Sequence, residues 1–252
     1  MMTKRIWILI TIIFLVTGCS PKDQDKVTLT ISAAASLKDS MMEVKKDFEK
    51  QHPGIQILFN FGGTGALRKQ VEQGAPSDVF LSASKKDYER LIDGGLIDST
   101  LGGPFLANRL VIIAPESSSD PSLDALSRSK DKLAIGNPAF VPAGNYAKQA
   151  LMGMDKWNEV KDQLVLAKDV RGVLTLVENQ SVSLGIVYAS DLTSSKKVKS
   201  IQSINPSHHS KIGYYAGVLQ NSKYPKEAAV FYKFVISNKR KDTFEKFGFT
   251  KG

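Results

Sequence analysis

Residues 27–50 read VTLTISAAASLKDSMMEVKKDFEK. Residues 27–33 are β-branched and apolar types in near alternation, which predicts a strand. Over 36–50, Leu37, Met41, Val44 and Phe48 recur at helical spacing, which predicts an amphipathic helix. A strand that turns into a helix within three residues begins an α/β unit. The pattern continues outward. Strands are predicted over 55–59, 79–83, 110–114, 133–136 and 185–189, with an extended run over 213–220. Helices are predicted over 65–73, 84–93, 143–153, 170–179 and 225–237, and a last short one carries Phe244 and Phe247. Ser84 and Asp87 resemble a capping box, and Pro225 suits a first helical position. Such alternation implies an α/β fold with largely parallel sheets. No internal repeat and no flexible linker is visible.

The chain of 252 residues is 42% hydrophobic and 23% charged, enough apolar material for a core and unlike a disordered protein. One cysteine excludes an intramolecular disulfide, and three histidines without Cys pairs argue against structural zinc. His52 precedes Pro53, and His208 and His209 lie in a polar stretch, so all three read as loop histidines. No phosphate-binding Gly-rich loop, Gly-x-Ser-x-Gly elbow or His-Glu-x-x-His is present. A hydrolase would have no nucleophile with a base, so an enzyme is not expected. The net charge of +9 suits a solvated basic surface or an anionic partner. Lys196, Lys197 and Lys199 form the densest basic run, in what reads as a polar loop without interleaved aromatics. Nucleic acid is therefore not an expected partner.

Lys4 and Arg5 precede an apolar stretch over 6–16. It is shorter than the roughly 20 apolar residues of a spanning helix. The pattern predicts a secretory signal, and its exit, Val16-Thr17-Gly18-Cys19, resembles the bacterial lipobox. Residues 1–18 are then a lipoprotein signal peptide, Cys19 the lipidated residue, and 19–26 a polar tether. Loss of Lys4 and Arg5 would leave a charge of +7. The expected location is the extracytoplasmic face of the cell membrane, held by lipid.

Four predicted helices start with small or hydroxyl residues. They are Ala33-Ala34-Ala35-Ser36-Leu37, Phe61-Gly62-Gly63-Thr64-Gly65, Val141-Pro142-Ala143-Gly144 and Asp169-Val170-Arg171. Helix starts leave backbone N–H groups unpaired and carry partial positive charge, so they favour oxyanions. Singly, Ser36 and Thr64 read as plain N-caps, and Tyr188 reads as a core aromatic. Together with Gln73-Gly74-Ala75-Pro76-Ser77-Asp78-Val79-Phe80, Asn108-Arg109-Leu110-Val111 and Gly185-Ile186-Val187-Tyr188-Ala189-Ser190-Asp191, these blocks resemble the molybdate-binding proteins of bacterial molybdate ABC importers. The resemblance runs from Leu29 to Phe249.

The resemblance implies a type II periplasmic-binding-protein fold with two lobes, each a mostly parallel sheet flanked by helices, and a ligand cleft between them. One lobe would comprise 27–107 and 214–252, the other 108–213. It implies oxyanion-binding roles for Ser36, Thr64, Ala143, Val170 and Tyr188. The family often has two serines where this chain has Gly63-Thr64. It further implies molybdate, with tungstate, as ligand, no cofactor, a permease partner and a monomer. Molybdenum would be held only as the oxyanion, without direct metal ligands. Molybdate at neutral pH accepts hydrogen bonds and donates none. About seven N–H and O–H donors at roughly 1.5–3 kcal/mol each would hold it, less desolvation and lobe closure. Receptors for another tetrahedral oxyanion such as sulfate, a secreted phosphate-ester enzyme, and a sensory or adhesion subunit on the same fold are the alternatives.

Overall fold

This computed structural model describes residues 26–251. The signal sequence 1–18, Cys19 and the tether up to residue 25 lie outside the described residues.

The opening stretch folds as strand β1 (Val27–Ala34), a single 3-10 turn at Ala35–Leu37, and helix α1 (Lys38–Gln51). Met41, Val44 and Phe48 are fully buried, as their spacing predicted. The chain continues through β2 (Ile55–Gly62), α2 (Thr64–Glu72), β3 (Val79–Ser82), α3 (Lys85–Asp93) and β4 (Ile97–Ala107). It then crosses at residues 108–109 into a second sheet. There follow β5 (Leu110–Pro115), α4 (Leu123–Ser127), β6 (Leu133–Gly136), α5 (Pro142–Gly153), α6 (Trp157–Val160) and β7 (Leu164–Ala167). After these come α7 (Val170–Glu178), β8 (Leu184–Tyr188), α8 (Ala189–Leu192) and β9 (Val198–Ser203). Residues 204–212 lead back to β10 (Gly213–Leu219), α9 (Pro225–Ile236), α10 (Lys241–Lys246) and β11 (Thr250–Lys251).

The first sheet has the order β11-β4-β10-β3-β1-β2 and the second β7-β6-β8-β5-β9. Both are mixed rather than mostly parallel. In the first, β1 pairs in parallel with β2 and β3, while β10 runs antiparallel to β3 and β4. In the second, β6 is parallel to β7 and β8, while β5 is antiparallel to β8 and β9. Besides the short β11, antiparallel to β4, the strands with antiparallel partners are β3 and β8 and the four that enter or leave a lobe, β4, β5, β9 and β10. A strand arriving from the neighbouring lobe need not be preceded by a crossover helix, so it is free of the parallel constraint.

Four strands, β4, β7, β9 and β11, fall outside the predicted runs. In β4, Gly102-Gly103-Pro104 resembles a turn, yet it is a strand whose register with β10 slips beside Pro104. A Cβ on Gly102 would lie 2.2 Å from the Tyr88 hydroxyl oxygen, so any larger residue there would displace that ring. β7, β9 and β11 are edge strands; β9 is polar and lysine-bearing, which edges tolerate, whereas β7 is a four-residue apolar run that periodicity does not distinguish, and β11 spans two residues. Lys199, assigned to a loop with Lys196 and Lys197, lies in β9 and its Nζ donates to the Ser118 carbonyl at 2.6 Å. His52 is half-buried and stacks on Phe48 at 4.5 Å between ring centres. Phe48 in turn meets Phe231 edge-on at 5.0 Å, which seats α9 against α1.

Candidate functional site

Two ends of the fold meet between the sheets. Ser36 sits in the 3-10 turn after β1, and Thr64 is the first residue of α2. From the other side come Ala143 in the first turn of α5, Val170 as the first residue of α7, and Tyr188 at the end of β8. All five are buried and line one small cavity. The cavity admits the centre of a water molecule over about 10 Å³. Adding back the water's own radius of about 1.4 Å gives a hollow about 2.7 Å in radius. That is the scale of one small ion; a sugar or an amino acid does not fit.

Each position exposes a donor for a local reason. Thr64 is not the N-cap of α2: Gly63 holds that position in extended geometry. Thr64 therefore presents a first-turn N–H, which has no partner within its helix. Its Oγ1 accepts from Ala83 N–H at 3.1 Å, which leaves its hydroxyl proton unspent. Pro142 opens α5 without an N–H of its own, and Ala143 supplies the next one. Asp169 caps α7 by accepting from Gly172 N–H at 2.8 Å, placing Val170 first in the helix. Among the described residues Asp169 is the single charged one in the lining, and one oxygen of its carboxylate is engaged in that cap.

Tyr188 stands out. Its hydroxyl is buried and has no hydrogen-bond partner. Burial pushes its phenol well above the ordinary value, so it keeps its proton. A buried, partnerless hydroxyl is costly and marks a place where a ligand atom would be satisfied. Its backbone N–H donates to Asp191 at 3.1 Å, which holds the end of β8 in place.

The two lobes touch around this cavity. Gly65 N–H donates to the Phe140 carbonyl at 2.9 Å. A Cβ on Gly65 would lie 2.8 Å from that oxygen, and one on Gly63 3.0 Å from the Lys168 carbonyl. These glycines admit the opposite lobe, a role beyond the backbone access their sequence suggests. Lys69 lies over the Phe140 ring at 4.4 Å. Arg171 bridges the lobes, 2.9 Å from Asp39 and 2.9 Å from the fully buried Asp191. Beside the small cavity runs a solvent-open groove of about 900 Å³ that shares Val141 and Pro142 with it. Among the described residues no group of three or more His, Cys, Asp or Glu could hold a metal ion. No described helix is long and apolar enough to cross a membrane.

The five residues nominated from the sequence all line this cavity, but the sequence gives no role to Asn108, Arg171, Asp191 or Tyr214. Asn108, Arg171 and Asp191 lie in the stretches that carry the family resemblance, and the adjacency of Arg171 to Val170 and of Asn108 to the lobe crossing is the available signal. Tyr214 carried none.

Two lobes, each built on its own mixed sheet and closed over a buried cavity of converging donors, define a periplasmic-type solute-binding protein. The family model for bacterial extracellular solute-binding proteins matches residues 29–250, and the chain belongs to that family. Its members bind solutes and are not enzymes, and their described location is outside the cytoplasm. The chain is 41% identical over 248 residues to a Bacillus subtilis (strain 168) protein named "Putative ABC transporter substrate-binding lipoprotein YvgL", covering 96% of this chain and 95% of that one. It is 36% identical over 228 residues to the molybdate-binding protein ModA of Haemophilus influenzae, covering 88% and 89%. Among solved structures, the periplasmic molybdate-binding protein of Azotobacter vinelandii superposes with a TM-score of 0.80 at 19% identity, covering 89% of this chain and 99% of that one, which shows the shared fold.

Proposed function

We propose that this protein is an extracytoplasmic receptor that captures molybdate, and tungstate alike, and delivers it to the permease of an ABC importer. Ser36, Thr64, Ala143, Val170 and Tyr188 hold the oxyanion between lobes formed by 27–107 with 214–252 and by 108–213. Lipid on Cys19 holds the mature chain to the membrane, and the receptor works as a monomer. No cofactor takes part.

The observation that carries this reading is the partnerless Tyr188 hydroxyl in a cavity lined by helix starts. The side-chain hydroxyls and first-turn N–H groups that the five residues offer there are donors. A fully ionised oxyanion satisfies them without a mismatch, whereas hydrogen phosphate would set an O–H against a donor and be rejected. The absence of a lysine or arginine from the lining suits an anion that must be released again. Between anions of equal charge the choice rests on size. The resemblance to ModA of Haemophilus influenzae supports the larger, molybdenum-centred ion.

Calorimetric titration of the mature protein with molybdate, tungstate, sulfate and phosphate tests this. Molybdate and tungstate are expected to bind with a dissociation constant near or below micromolar, about −8 kcal/mol or better, and phosphate not at all. Sulfate binding as tight as molybdate would replace the ligand assignment. Failure of every tetrahedral oxyanion to bind would overturn the reading of the cavity.

A further inference from the structure

We propose that Asn108 and Tyr214 form a directional hydrogen-bond relay that leaves the single hydroxyl proton of Ser36 free for the cavity, making Asn108 and Tyr214 positioning residues for ligand specificity. The proposal rests on the oxyanion reading of the cavity.

The direction follows from one backbone group. The Asn108 Oδ1 accepts from Arg109 N–H at 2.9 Å. A backbone N–H can only donate, so this contact settles which end of the amide is which. The amide nitrogen then faces the other way, toward Ser190 Oγ at 2.9 Å and Tyr214 Oη at 3.3 Å. It too can only donate, and Tyr214 Oη must accept. Tyr214 is fully buried, and burial pushes its phenol far above the ordinary value, so it retains one proton to pass on. Among the described residues its only other hydrogen-bond partner is Ser36 Oγ, at 2.8 Å. Tyr214 therefore donates and Ser36 accepts. The proton of Ser36 is not consumed by the protein.

Run backwards, the same chain would have a different effect. Ser36 would spend its proton on Tyr214 and turn only lone pairs to an anion. A pocket that must be all donor depends on an amide outside its own lining. Asn108 also sits at the lobe crossing and bonds residues of both sheets' surroundings, Ser190 beside β8 and Tyr214 in β10. The relay thus links the hydroxyl state of Ser36 to the geometry of the hinge.

The decisive variant is Asn108→Asp, which has the same shape but accepts where the amide donates. Tyr214 is then drawn to donate to position 108, and Ser36 to donate to Tyr214. Molybdate affinity is expected to fall at least about tenfold below that of Asn108→Ala, and adding Tyr214→Phe to Asn108→Asp should recover most of that loss. A carboxylate acting through its charge alone would not be relieved by Tyr214→Phe, so absence of rescue overturns the relay. Thermal melting confirms that each variant is folded. Tyr214→Phe alone covers the case in which the aspartate variant does not fold. In the proposed direction it weakens binding about two- to fivefold by removing the anchor that polarises Ser36. Unchanged or tighter binding would mean that Ser36 had been donating to Tyr214. Loss of wild-type binding to every oxyanion would strike the functional reading, whereas intact wild-type binding with no rescue strikes only the relay.

Discussion

At the scale of single residues, the cavity's side-chain hydroxyls keep protons unspent. Thr64 accepts from Ala83 and keeps its proton, and Tyr188 has no partner among the described residues. Removing one such donor costs a hydrogen bond to a charged group. Ser36→Ala and Tyr188→Phe are each expected to weaken molybdate binding by about 1.5–3 kcal/mol while leaving the melting temperature of the ligand-free protein within a few degrees. Calorimetry and thermal melts measure the two quantities separately, and unchanged affinity in both variants would show that the cavity is not the binding site. These five positions were nominated through the family resemblance, whose blocks are short runs of consecutive residues; helix-start chemistry alone marked Ser36, Thr64, Ala143 and Val170 only as ordinary helix starts, and Tyr188 as a core aromatic. Tyr214 was not nominated, because its partner Ser36 is 178 residues away.

At the scale of elements, the strands and helices that carry the site followed from periodicity, with ends displaced by at most three residues. β1 and α1 meet through a 3-10 turn rather than directly, and that tighter turn places Ser36. The start of α2 matters for a different reason. Gly63 and Gly65 flank Thr64 and let the loop before α5 press against them. Gly65→Ala would bring a Cβ within 2.8 Å of the Phe140 carbonyl only when the lobes are together. It is predicted to weaken ligand binding by at least about tenfold, or 1.4 kcal/mol, without a matching loss of ligand-free stability. Titration beside a denaturant melt tests this, and equal losses in both would show that the contact is structural instead. Of the strands not predicted, β4 and β9 share a cause. A bulged strand with two glycines and a polar edge strand bury too little on one face to impose alternation.

At the scale of the whole molecule, a line of charge ties the lobes together beside the ligand cavity. Asp39 lies in α1, Arg171 in α7 and Asp191 in α8, with Arg171 between the carboxylates. Burial pushes the Asp191 carboxyl up from 3.8 to about 7, against the opposing pull of Arg171 and of the Tyr188 N–H. The folded chain thus holds this proton where the unfolded chain has released it. Between about pH 4 and about pH 7 the folded state binds more protons, so this group makes stability fall as pH rises through that window. Asp191→Asn, which mimics the protonated form and can still accept from Tyr188 N–H, should flatten that part of the decline. Melting curves at pH 4.5, 6 and 7.5 for both proteins test the sign. A variant whose stability falls just as steeply as wild type would remove Asp191 from the account.

By itself the sequence determined the α/β class and, through short blocks that resemble a family, the family itself, and it singled out five candidate donor positions. Each of these depends on composition, periodicity or a few adjacent residues. Only the tertiary structure decided that the sheets are mixed, that the five donors converge on a cavity of single-ion size, and that Gly63 and Gly65 serve the lobe contact. It alone aligned Arg109, Asn108, Tyr214 and Ser36. These are properties of segments brought together across two lobe crossings. Proximity of that kind depends on the packing of the whole chain and leaves no local pattern to read.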